Sequence, residues 1–183
     1  ARDWFKANGI TPFLVVDEGG AIIRKTTKFM TKDVAAVGIL EKGYADVKFI
    51  ARGKGGHSSQ PPKNTPIARL AAFVNYCEKH TVFKPKMSKA AKAMIYGMGD
   101  ALTPPLKLFC KTIGLNGWWV SKLAPKINAS YGNSMFATSM VFTMSQGSAA
   151  PNVIPQEAWV NANLRIAPTD TCEKCFKKLE KSS

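Results

Sequence analysis

Several things are scarce in this sequence, and each scarcity narrows the reading. No run of about 18 apolar residues occurs, so a membrane-spanning helix is not expected. Acidic residues number 12 against 26 basic ones, giving a formal charge of +14. That balance raises nucleic acid or an acidic surface as a partner, and fits equally well a basic piece parted from an acidic remainder. The lysines are scattered rather than gathered on one helix face. Histidine is limited to His57 and His80. Of the four cysteines, Cys172 and Cys175 form a CxxC, but it lies in a lysine-rich helical pattern with no second CxxC. Zinc is therefore not expected there, and the strand-to-helix context of a thioredoxin-like redox motif is missing. Free thiols in a reducing compartment are expected, hence a cytoplasmic location, with secretion left open. The opening ARDWFK is not a signal peptide, and the chain is expected to begin inside a longer protein.

What is present can build a core: 45% of the residues are hydrophobic and 21% charged. The chain is organised around residues 51–62, ARGKGGHSSQPP, where three glycines and two prolines make a shaped turn. An extended segment at 44–51 leads in and a helix leads out, with Thr65 as its cap and Pro66 at its first position. His57, in the middle of the turn, can be a proton carrier, a metal ligand, a hydrogen-bond donor or an ordinary solvated loop residue.

In chain order, residues 1–8 read as a helix end. An apolar run at 13–16 reads as a buried strand ending in Asp17, Glu18 and two glycines. Carboxylates at a buried strand end are costly unless paired or bound to a cation, although a simple polar turn is an equal alternative. Two short strands are expected within 21–42. At 44–51, Val47, Phe49 and Ala51 alternate with polar residues. The helix from Thr65 carries an apolar stripe through Leu70, Val74 and Cys77. Residues 81–132 form a basic helical insert bearing Met and Trp; it is either a packed element or a surface for a membrane, partner or substrate. A strand is expected over 136–144 with Phe136, Met140, Phe142 and Met144 on one face. The cleanest alternation runs over 158–166, with Ala158, Val160, Ala162, Leu164 and Ile166 inward. A final helix is expected to be capped by Thr169 or Asp170, with Cys172, Phe176 and Leu179 inward. The sum is an α+β fold: a ferredoxin-like antiparallel sheet with helices on one face, a helical insert and a short piece of an α/β domain. That plan calls for one more strand after the last helix.

Three stretches carry a family resemblance: FLVVDEGG at 13–20, GKGGHSSQPP at 53–62, and NVIPQEA at 152–158 continuing to NLR at 163–165. In their order and spacing the chain resembles the di-zinc metallopeptidases and amidohydrolases. These include aminoacylase, carboxypeptidase S, glutamate carboxypeptidase and succinyl-diaminopimelate desuccinylase, and the insert looks like that of the carboxypeptidase S branch. The resemblance implies that residues 1–43 end the first half of a catalytic domain and that 44–183 are its lid and dimerisation domain. It implies Glu18 as a zinc ligand in a parent with two zinc ions, and His57 as an N–H donor that reaches into the partner subunit's active site toward the scissile carbonyl of the substrate. Asn152 would donate to the same region, and Arg165 would hold a substrate carboxylate through paired hydrogen bonds. The partners implied are the rest of the catalytic domain, a second copy of the lid, and a peptide or N-acyl-amino-acid substrate. The remaining zinc ligands and the general base of the family are not in this sequence, so the fragment alone is expected to be inactive and to bind no zinc. A basic ferredoxin-like nucleic-acid-binding module is the alternative; it lacks the aromatic-rich strand pattern that stacks bases, so no nucleic-acid partner is expected.

Overall fold

Residue alternation sets the architecture. In this computed structural model, which describes residues 2–13, 20–38, 40–80 and 82–181, the central strand is β7 (Glu157–Ile166). Ala158, Val160, Ala162, Leu164 and Ile166 are all buried, as the alternation predicts, and Leu164 is 1% exposed. Burying a side chain of that size is worth about 1.5–3 kcal/mol. β7 pairs antiparallel with β3 (Gly43–Arg52) on one side and with β5 (Ser139–Gln146) on the other. The order β3-β7-β5 is that of a ferredoxin-like sheet, three strands of it, within an α+β fold.

Two helices cover one face. α2 (Pro66–Lys79) is capped by Thr65, whose side chain accepts from the Ala68 N–H, and it buries Leu70 against Ala158 and Val160. Phe73 of α2 packs 4.6 Å from Phe49 and 6.0 Å from Phe142, ring centre to ring centre, joining α2 to both flanking strands. α7 (Cys172–Glu180) buries Cys175 and Leu179 against Ala162, Leu164 and Ile166.

The sequence reading needs three corrections here. The cap of α7 is Thr171, not Thr169 or Asp170, and Cys172 and Phe176 face outward while Cys175 and Leu179 face in. Asp170 is used elsewhere: its carboxylate accepts from Thr138 Oγ1 at 2.8 Å and from Lys178 at 3.2 Å. Phe136 does not begin a strand; it is buried at the end of a helix, and β5 starts at Ser139. Finally, a bulge between Phe142 and Met144 shifts the register, so Met144 pairs with Asn161 and turns to the outer face.

Before the sheet lie α1 (Arg2–Ala7), then β1 (Gly20–Ile23) paired with β2 (Val34–Val37), as the two short apolar pieces predict. The insert is mostly helical from Lys89 onward, and its last helix runs beyond residue 132. It comprises α3 (Lys89–Met98), a 3-10 turn at Gly99–Ala101, α4 (Leu106–Lys111), α5 (Ile113–Ile127) and α6 (Ala129–Phe136). Among the described residues no helix is long and apolar enough to cross a membrane.

Candidate functional site

The glycine-rich turn is held by the loop that carries Asn152. Beyond the last β3–β7 pair, Arg52 with Glu157, the Gly53 N–H donates to the Gln156 carbonyl at 2.8 Å. Two short strands follow, β4 (Gly56–His57) and β6 (Val153–Ile154), with His57 opposite Val153. The Ser58 N–H then donates to the Asn152 carbonyl at 3.0 Å. Gly55 makes this approach possible. Its φ of +69° suits glycine, and a Cβ there would lie 2.6 Å from Gln156 Cγ and 3.2 Å from the Ile154 carbonyl oxygen.

The His57 ring is exposed, and its hydrogen bonds define what it offers. The Ser59 backbone N–H donates to Nδ1 at 3.2 Å, and Ser59 Oγ lies 2.9 Å from the same nitrogen. A nitrogen that accepts from an amide carries no proton, so the neutral ring bears its hydrogen on Nε2. The loop thus presents an N–H donor outward. Ser59 is a residue that the sequence reading missed; a serine two positions after a turn histidine is the signal that could have found it.

Arg165 stands apart from this cluster. It lies eight positions along β7 from Glu157, about 26 Å at the usual strand rise, while His57 lies beyond the other end of the strand. The structure therefore brings His57 and Asn152 together and leaves Arg165 at the far end of the sheet. Arg165 is directly opposite Tyr44, with its guanidinium carbon 5.0 Å from the centre of the phenol ring. The Tyr44 hydroxyl donates to Asp46 at 2.5 Å, and Asn163 donates to the other carboxylate oxygen at 3.0 Å. The Tyr44 hydrogen bond, then that of Asn163, holds the Asp46 carboxyl below its usual range; the same Asp46 bond raises the Tyr44 hydroxyl. Tyr44 and Asp46 were also missed as site residues. The cross-strand register, 44 against 165 and 46 against 163, is what identifies them, and it is not visible in either strand alone.

Residues 39–182 match the peptidase dimerisation domain of the M20 family. The chain belongs to the M20 peptidase dimerisation-domain family. Among similar proteins, the bovine N-fatty-acyl-amino acid synthase/hydrolase PM20D1 is 31% identical over 182 residues, covering 94% of this chain and 34% of that protein. A probable carboxypeptidase S-like 2 of Dictyostelium discoideum is 29% identical over 173 residues, covering 92% of this chain and 32% of that protein. The chain spans about a third of the length of the curated relatives it matches.

M20 peptidases as a family imply zinc, which needs several nitrogen, sulfur or carboxylate donors held together. Among the described residues, no three or more histidine, cysteine, aspartate or glutamate side chains are grouped to hold a metal ion. His57 Nδ1 is engaged by Ser59, and the His80 ring stacks on Tyr76 at 4.3 Å. The described part of this M20 dimerisation domain does not fit zinc. Glu18, expected as a ligand, lies outside the described residues.

Proposed function

We propose that the chain is the lid and dimerisation portion of a peptidase or N-acyl-amino-acid hydrolase whose active site is completed by two copies. Residues 1–43 belong in this reading to the catalytic half, and those from 44 onward to the lid. The carrying observation is the separation of His57 and Arg165 by the length of β7. No single amide substrate of modest size meets both within one chain. His57 and Asn152 of one copy act on the substrate that Arg165 of the other copy holds.

The chemistry follows from the groups. The His57 Nε2–H donates to the carbonyl oxygen that gains negative charge as the amide is attacked, a bond stronger in the transition state than in the ground state. Asn152 adds a neutral donor beside it. The planar fork of Arg165 grips a carboxylate through two parallel hydrogen bonds, which selects substrates ending in a free acid. The relatives' names support that class, an amino acid acylated on nitrogen. Two zinc ions belong, in this reading, to the catalytic portion, with Glu18 as one ligand. A second copy docks along the free edge of β5, where an open apolar groove of about 700 Å³ runs beside α2, lined by Ile67, Leu70, Val74 and Phe142. The nucleic-acid reading draws no support from the sheet's outer face, which is centred on the Asp46 carboxylate.

The test is hydrolysis of N-acyl amino acids and peptides by the full-length protein with His57→Ala and Arg165→Lys variants beside it. A folded protein that loses rate in both cases supports the reading. Full activity in either variant refutes the role given to that residue.

A further inference from the structure

Helix α5 is inside out. Its buried face is Ile113, Gly117 and Ser121, spaced four apart, and a Cβ on Gly117 would come 3.1 Å from Met87 Cγ. Large apolar residues lie on the opposite side, Leu115 at 83% exposed and Trp119 at 60%, with Ile127 on the flank at 78%. Lys122 and Lys126 stand on the same side, where a shallow hollow is shared with Trp118 and Trp119. An amphipathic helix ordinarily turns such a face to the core. On α4 another large apolar residue is left open, Leu108 at 67% exposed. Over residues 81–132 there are eight lysines against one acid, Asp100, and that acid is engaged by Lys111 at 2.7 Å.

We propose that the outer face of α4 and α5 is a peripheral attachment site for an anionic lipid bilayer. The charge pattern and the side-chain types select this occupant. Indoles favour the interface between headgroups and acyl chains, and leucine and isoleucine beside them enter the acyl boundary. Lysine stems lie along that apolar surface while their ammonium groups reach lipid phosphates. Lys122 is already extended across the Trp118 ring, 5.0 Å from its centre. A second copy is a poor occupant, because a two-fold contact through this face sets Lys122 and Lys126 against their own like charges. Single-stranded nucleic acid needs open stacking platforms, whereas Trp118 and Trp119 pack on each other at 5.3 Å with planes inclined by 57°. At 15 residues, α5 is about 22 Å long, suited to lying in the plane of the membrane rather than crossing it.

The experiment is co-sedimentation of the full-length protein with vesicles of phosphatidylcholine alone and of phosphatidylcholine with phosphatidylserine. Binding is expected only to the phosphatidylserine vesicles, falling as salt rises, with tryptophan emission moving to shorter wavelength. Lys122→Glu with Lys126→Glu lowers partitioning by about tenfold or more, from the attraction each lysine contributes near an anionic surface. Trp118→Ala with Trp119→Ala lowers it by a similar factor. Because α5 buries only its other face, both double variants keep the parent's melting temperature; Leu115→Ser is the milder third variant. No binding to phosphatidylserine vesicles overturns the proposal. So does binding that these variants leave unchanged. A fall in melting temperature on substitution, with no vesicle binding by the parent, also overturns it and shows the face covered by the rest of the protein.

Discussion

Tyr44 and Arg165 face each other across β3 and β7, and the guanidinium carbon lies 5.0 Å from the centre of the phenol ring. The tyrosine hydroxyl is tied in turn to Asp46, so the ring that supports the arginine cannot rotate freely. Replacing Tyr44 with leucine removes the platform while leaving Arg165 charged. The expected result is a KM for carboxylate-bearing substrates raised about two- to fivefold with kcat little changed, the worth of an exposed cation–π contact. Tyr44→Phe keeps the ring and recovers most of the loss. Equal effects on substrates with and without a terminal carboxylate would contradict this role.

His57 acts, in this account, only where negative charge develops. His57→Ala lowers kcat by about 10²–10³, the usual cost of removing one donor to an oxyanion, and leaves KM nearly unchanged. Ser59→Ala keeps the backbone N–H that fixes the tautomer and removes only the hydroxyl contact, so its effect stays within about tenfold. Steady-state kinetics on the full-length protein distinguishes these outcomes from a change in substrate binding.

Gly55 carries the approach of the two loops. Alanine there meets Gln156 and the Ile154 carbonyl and must hold a positive φ, which costs about 1–2 kcal/mol. The expected loss is local. Melting temperature falls by only a few degrees, while kcat falls toward that of His57→Ala because β4 and β6 no longer align the ring.

Asp170 gives a pH signature. Burial alone pushes its carboxyl up, but the hydrogen bonds from Thr138 and Lys178 outweigh burial and hold it below the ordinary carboxylate value. A depressed folded-state pKa means the contribution is fully present above the unfolded value, near pH 4, and is lost as pH falls through the folded value. Asp170→Asn should therefore reduce stability at neutral pH by about 1–3 kcal/mol, with the gap to the parent closing in strong acid. Thermal melts across pH 2–7 check this; a gap independent of pH would contradict it.

The buried half of the fold was legible because it is written in neighbouring residues. The alternation from Ala158 to Ile166 needs nothing but a strand to be read, and Thr65 followed by Pro66 announces α2. Features that depend on distant partners were not. The bulge that turns Met144 outward arises from pairing with β7, and the union of the His57 and Asn152 loops joins segments about ninety-five residues apart. Thr171 was passed over as a cap because Asp170, beside it, is an equally good capping type until Thr138 and Lys178 claim its carboxylate. Motif resemblance pointed to His57, Asn152 and Arg165 as residues, but not to the fact that two of them lie together and the third about 26 Å or more away.

That division is the central claim, and mixed dimers test it directly. Two full-length chains are co-expressed, one with His57→Ala and one with Arg165→Ala, each inactive as a homodimer. If His57 serves the partner's substrate while Arg165 serves its own, a mixed dimer contains one intact site, and random pairing restores about a quarter of the wild-type rate. If both residues serve the same site within one chain, every site in the mixture lacks a group and no activity returns.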